Sequence, residues 1–287
     1  MGSISTVQLD PKIVSYIQES NESKNPSDPL ALYLIGNNNE EGELNPNLSS
    51  QIVRFKQLAK IYYLSIDIMN DADIGGAIAR AQKAHPGRPI DLLVLQTHCE
   101  GDVLRFTPDS SGHYGVKNVK PRDFALLSPG CVISLSACES YASRAASIAA
   151  KIAAVAKRVV YASKSFLPID HFFYTTDLKN RSIEWHAFDP SFATPISVKL
   201  RYDEEKKRVI ETAPKETALE EIAQSLEGEA KEGCQDSQIA YANLALKTRK
   251  LDQAATYYKM AMTNQRTASP LNLNLLANQF CSSGIRV

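Results

Sequence analysis

IDLLVLQTH, residues 90 to 98, and CVISLSAC, residues 131 to 138, are the stretches on which the fold turns. Each is a short, nearly unbroken apolar run, and each ends on a residue able to move a proton or attack a carbon. Runs of this length and composition suit strands buried on both faces, the setting of a strand in a parallel sheet covered by helices. ALYLIG (31–36), YYLSIDIM (62–69) and VVYASKSF (159–166) read the same way. Between them SSQIVRFKQLAK and DADIGGAIARAQKAHPG carry apolar stripes of helical period, the first capped by Ser49 or Ser50 and the second stopped by Pro86 and Gly87. The Ala-rich ASRAASIAAKIAAVAKR follows Cys138 directly and is expected to be helical from its start, because Ala is the strongest helix former.

Strand, helix, strand, helix, strand, strand, helix, strand predicts an α/β fold. It is a three-layer sandwich built on a mostly parallel sheet, since parallel neighbours need long crossovers that place helices on both faces. Residues 99–125 are rich in Gly, Asp and Ser and fit a hairpin around FTPDSSGHYG. SIEWHAF and ISVKLRYDEEKKRVIET read as further strands, with a hairpin turning at DEEKK at the sheet edge or over the site. Three regions follow from the composition: 1–29, a short helix and the polar linker SNESKNPSDP; 30–213, the α/β domain; and 214–287, an all-helical segment. Within the last, IAYANLALKTRK and LDQAATYYKMAMTNQ pair small residues (Ala242, Ala245, Ala254, Ala261) with Tyr257 and Tyr258, and resemble a single tetratricopeptide-type helical hairpin.

Lys plus Arg and Asp plus Glu both number 32 in 287 residues, so no net field draws the chain to nucleic acid or anionic membrane. The first twenty residues lack the basic and apolar regions of a secretory signal, and no apolar run approaches bilayer length. No nucleic-acid partner and no integral membrane segment are expected. Five cysteines, at 99, 131, 138, 234 and 281, are odd in number and include no C-x-x-C pair, which speaks against a disulfide framework and a structural zinc site. The expected compartment is a reducing cytoplasm, the cell's own or one into which the protein is delivered. GNNNEEGELN, after the first strand, lacks the Gly-rich spacing that cradles phosphates, so neither a nucleotide nor any other cofactor or metal is expected.

In open α/β sheets functional groups gather beyond the carboxyl ends of the strands, where His98 and Cys138 are both placed. A thiol of ordinary pKa, about 8.5, is mostly protonated at neutral pH and needs a neighbouring base or positive field to act as a nucleophile. His98 would orient the attack and then protonate the leaving amine, and a helix beginning at Cys138 would add its positive N-terminal end. The backbone amides of Cys138 and of Cys99, the residue after His98, are the candidate oxyanion donors. Of the other histidines, only His171, after the fifth strand, falls within reach of this rim.

These residues carry a resemblance. From about Leu30 to Pro168 the chain resembles the caspase-hemoglobinase fold of clan CD, in which one apolar strand ends in a catalytic His and the next long strand in a catalytic Cys. Within it the chain is most similar to CHAT-type domains: CVISLSACES (131–140) matches their S-A-C-E-[ST] pattern, and RVVYASKSFLPID resembles the strand that follows. The family usually has Gly after the His, whereas THCEGD places Cys99 there and delays the glycine to Gly101. The resemblance implies a cysteine endopeptidase with a protein or peptide substrate and no cofactor. Asp67, Glu100, Asp102, Glu139 and Asp170 give the expected rim an acidic bias that suits a basic P1 residue. The alternative is an inactive relative that binds a protein partner through its helical tail.

Overall fold

The computed structural model describes residues 9–37, 48–165, 167, 172–189, 194–212, 218–231, 233, 235–247 and 249–263. It divides into two units, residues 1–187 with 196–214, and residues 188–195 with 215–287.

In chain order the first unit begins with α1 (Pro11–Glu22), β1 (Leu30–Gly36), α2 (Leu48–Ala59), β2 (Tyr63–Met69), α3 (Ile74–Ala84) and β3 (Ile90–Gln96). Three short strands follow, β4 (His98–Glu100), β5 (Val103–Arg105) and β6 (His113–Gly115). Then come β7 (Val132–Ser136), α4 (Ile148–Ala156), β8 (Val159–Ser163), β9 (Phe172–Asp177), β10 (Ser182–Asp189), β11 (Thr194–Pro195), β12 (Ser197–Asp203) and β13 (Arg208–Thr212), of which β11 and the last two residues of β10 fall in the second unit.

Seven strands form one sheet in the order β13-β12-β8-β7-β3-β1-β2. From β2 to β8 every pairing is parallel, while β12 runs antiparallel to β8 and closes a hairpin with β13. The α/β class and the mostly parallel sheet are therefore as the sequence predicts, and the hairpin at DEEKK does lie at the sheet edge.

The apolar runs are continuous because both faces of the sheet are covered. Along β1, Leu30, Leu32 and Leu34 enter one core with Leu93, Leu95, Ile133 and Leu135, while Ala31, Tyr33 and Ile35 enter the other with Leu92 and Val94. Successive side chains point to opposite faces, so a strand must be apolar at every position to bury both. Each fully buried Leu, Ile or Val contributes about 1.5–3 kcal/mol, which makes the central strands the most stabilising part of the chain.

Helix α1 does not stand apart from the α/β unit. Asp10 caps it by accepting from the Lys12 amide, Ile13 and Ile17 are buried with α2 residues in the second core, and the Asn21 amide pairs with both the N–H and the C=O of Leu64. Its two buried isoleucines, one turn apart, tie residues 11–22 to the domain that the sequence starts at Leu30.

A second difference concerns the chain after Cys138, which is not yet helical. The Glu139, Tyr141 and Ser163 amides donate to the Ser165 carbonyl, the Ser163 carbonyl and the Ser140 hydroxyl respectively, so the turn is stitched to the end of β8. Glu139 and Arg144 adopt left-handed φ values of 47° and 50°. Helix α4 starts only at Ile148, where the Ser147 hydroxyl caps the Ala150 amide. The serines explain the delay, because a hydroxyl that bonds backbone groups locally offers the chain an alternative to helix that Ala content does not reveal.

The second unit contains α5 (Ala218–Lys231), α6 (Gln235–Lys247) and α7 (Leu251–Thr263). Ala242, Ala245, Ala254 and Ala261 are buried between α6 and α7, the Tyr241 and Tyr257 rings meet edge to face at 4.5 Å, and the Tyr258 hydroxyl donates to Asn243. Arg249, at φ 60°, turns the chain between the two helices. Cys234 and Cys281 lie outside the described residues.

Candidate active site

Strands β3 and β7 are neighbours in the sheet, with Gln96 opposite Ser136 as their last pair. The register holds for one more residue, since the Thr97 amide donates to the Ser136 carbonyl at 3.3 Å. His98 and Cys138 each lie two residues beyond that last pair. Val94 and Cys138 pack with the second core, whereas Leu95, Ala137 and Cys99 pack with the first. Adjacent parallel strands lie about 4.8 Å apart, so His98 and Cys138 follow the ends of neighbouring strands at one edge of the sheet.

The end of β3 is turned sharply into β4. The Thr97 hydroxyl donates to the Arg105 carbonyl, and a Cβ on Gly36 would meet Thr97 Oγ1 at 2.8 Å and the Phe106 backbone at 3.1 Å, so glycine is needed for this close approach. Strands β4, β5 and β6 make a small antiparallel sheet in which His98, Arg105 and His113 are cross-strand neighbours. Arg105 donates to Glu100 at 2.5 Å and to His113 Nε2 at 3.3 Å, a clamp that stands beside His98. Among the described residues the His98 imidazole makes no hydrogen bond of its own. On the opposite face of this sheet Cys99 packs with Leu104 and Tyr114.

The β4–β5 connection is a two-residue turn of Gly101 and Asp102, with Gly101 at φ 59°. Glu100 and Val103 close the turn as a hydrogen-bonded pair, and bonded pairs alternate along an antiparallel ladder. The Cys99 amide therefore points away from β5, where a backbone donor beside His98 is usable. Burial pushes the Cys99 thiol up to about 12, with Cys138, Asp102 and Glu139 adding to the shift, so this sulfur stays protonated at neutral pH. Cys131 directly precedes β7 and is buried at the other end of the strand.

Cys138 is half-buried. Its thiol donates to the Leu167 carbonyl at 3.5 Å and accepts from the Leu167 amide at 3.4 Å. With α4 starting at Ile148, the positive helix end expected at Cys138 is absent from that position. The Glu139 amide is bonded to the Ser165 carbonyl, so it is not an oxyanion donor on this turn.

The acidic residues divide. Asp67 is paired with Arg80 at 3.0 Å on β2, two strands from β3, and so is not brought to the rim. Glu100 is held by Arg105. Glu139 is exposed at the turn after Cys138. Asp102 stands four residues after His98 with Oδ1 buried and without a partner among the described residues. Asp170 and His171 lie outside the described residues. Gln96, Thr97, Arg105, His113 and Leu167 are contributors that the sequence did not single out. The one available signal was that Gln96 and Thr97 are polar residues closing an otherwise apolar strand.

Among the described residues no group of three or more His, Cys, Asp or Glu side chains is placed to hold a metal ion, and no helix is long and apolar enough to cross a membrane. No family model and no curated protein matches the chain.

Proposed function

We propose that the protein is a caspase-like cysteine endopeptidase of the CHAT type, with His98 and Cys138 as its catalytic pair. The observation that supports this reading is positional: His98 and Cys138 each follow the carboxyl end of one of two adjacent parallel strands, two residues beyond the same register pair. The sequence pattern CVISLSACES supports it independently. In the reaction the Cys138 thiol passes its proton to His98 and the sulfur attacks the peptide carbonyl. The Cys138 and Cys99 amides receive the developing oxyanion, and the imidazolium protonates the leaving amine. Water, deprotonated by His98, then cleaves the thioester.

The preferred P1 residue is Arg or Lys. A buried carboxylate oxygen without a partner is costly, and the Asp102 Oδ1 atom is one that a guanidinium or ammonium group would satisfy. The site of action is a cytoplasm, the cell's own or a recipient's, and the helical hairpin α6–α7, tetratricopeptide-like in its small residues, would hold a protein partner.

A second reading is an inactive relative that serves only as a binding module. It is favoured by the contacts of the Cys138 thiol with the Leu167 backbone and by the delayed start of α4. Cleavage of a peptide library read by mass spectrometry separates the two. The first reading predicts cuts after Arg or Lys that fall by at least ~10³-fold in both Cys138→Ala and His98→Ala and persist in Cys131→Ala. Absence of cleavage in the wild type, or cleavage that survives Cys138→Ala, refutes it.

A further inference from the structure

At the other end of the sheet a cavity of about 290 Å³ opens between the starts of β3, β7 and β8 and the β9–β10 turn, lined by Tyr62, Asp91, Tyr161, Arg181, Ser182 and Lys199 among others. Its two tyrosines are almost wholly buried, 3% and 4% exposed, and the Tyr161 hydroxyl is buried with no hydrogen-bond partner among the described residues. Buried hydroxyls are nearly always satisfied, so this one on the cavity wall marks a place where something polar is missing. Burial raises both phenols far above neutrality, which keeps them as donors.

Charge of both signs converges on the same space. Arg181 and Lys199 come from different strand ends and pair with Asp28 at 3.0 Å and Glu184 at 3.2 Å. Both of those acids lie outside the cavity lining. A guanidinium has five donors and an ammonium three, so each cation retains donors beyond its ion pair. On the opposite wall, Asp91 accepts from the Ser128 hydroxyl and has further acceptor capacity.

We propose that this cavity binds a free L-amino acid. Its carboxylate meets Arg181 and Lys199 with the phenols as additional donors, its ammonium meets Asp91, and its side chain lies against Val132, Val159 and Ile183, the apolar part of the lining. A simple anion leaves Asp91 unanswered, and a simple amine leaves the two cations and the Tyr161 phenol unanswered. The site is independent of the peptidase reading. Val132 lines it, and Cys138 lies six residues further along, about 20 Å away at strand rise.

The test is calorimetric titration of the full chain with each of the twenty proteinogenic L-amino acids, with acetate, methylammonium and inorganic phosphate as further probes. At least one amino acid binds, and more tightly than any of the three simple ions. Tyr161→Phe, which removes only the unpartnered hydroxyl, weakens that binding by roughly tenfold or more, as does Tyr62→Phe, while thermal stability is maintained. Asp91→Asn abolishes the advantage of the amino acid over acetate. The proposal is overturned if no amino acid binds, if acetate or phosphate binds as well as the best amino acid, or if both phenylalanine variants bind unchanged.

Discussion

Cys99 and Cys138 stand at the same end of the same sheet, on chains that neighbour each other, and their surroundings differ because they face opposite sides. Cys99 points with Leu104 and Tyr114 into the core that contains α3 and α4, where burial pushes its thiol up to about 12. Cys138 packs with the second core and is half-buried against the Leu167 backbone. The first sulfur serves as a small apolar group, and the second is the one proposed to do chemistry.

The largest expected effect of breaking this division is on stability. Leu135 lies on the Cys99 side and is fully buried, so Leu135→Ala should cost about 2–5 kcal/mol in urea unfolding. Ser136, its neighbour on the Cys138 side, should cost under about 1 kcal/mol when changed to Ala, because a hydroxyl rather than packed volume is lost. Equal losses at the two positions would contradict the assignment of faces.

A smaller effect is the pH dependence that Cys99 imposes. Its folded pKa of about 12 lies above the unfolded value near 9, so between these pH values the unfolded chain has lost the proton that the folded chain keeps. Fewer protons bound in the unfolded state means that stability falls as pH rises through this window, and below pH 9 the contribution is constant. Cys99→Ala should flatten the decline between pH 9 and 12 in thermal melts. An unchanged slope would show that the thiol is not buried as described.

The smallest effect belongs to Glu139, whose φ of 47° is strained for a side-chain-bearing residue. Glu139→Gly should raise stability by at most about 1 kcal/mol while leaving Cys138 in place, measured by the shift of the unfolding midpoint. Destabilisation would mean that the Glu139 side chain supports the turn.

How much of this was legible in the sequence follows from what each element depends on. Strands β1, β3 and β7 could be read because burial on both faces leaves an unbroken apolar run, and the ends of those runs located His98 and Cys138 without reference to any contact. Helix α4 starts six residues later than ASRAASIAAKIAAVAKR suggests, because its Ala content is visible in the sequence and the bonds of Ser140 and Ser147 are not. Asp67 was assigned to the rim because its charge could be read and its pairing with Arg80, one element further along, could not. The condition of Asp102 was equally hidden, since an acceptor without a partner depends on everything around it. The isoleucines of α1 were legible in principle, one turn apart and apolar, and were passed over because the polar linker suggested a boundary.

The most direct measurement of the central claim is the rate of iodoacetamide alkylation of each cysteine in the native protein at neutral pH, followed by peptide mapping in wild type and His98→Ala. The account predicts that Cys138 reacts at least ~100-fold faster than Cys99, and that His98→Ala removes most of the difference, because a thiol reacts as its thiolate and a neighbouring base supplies it. Equal rates at the two cysteines, or a Cys138 rate indifferent to His98, would contradict it.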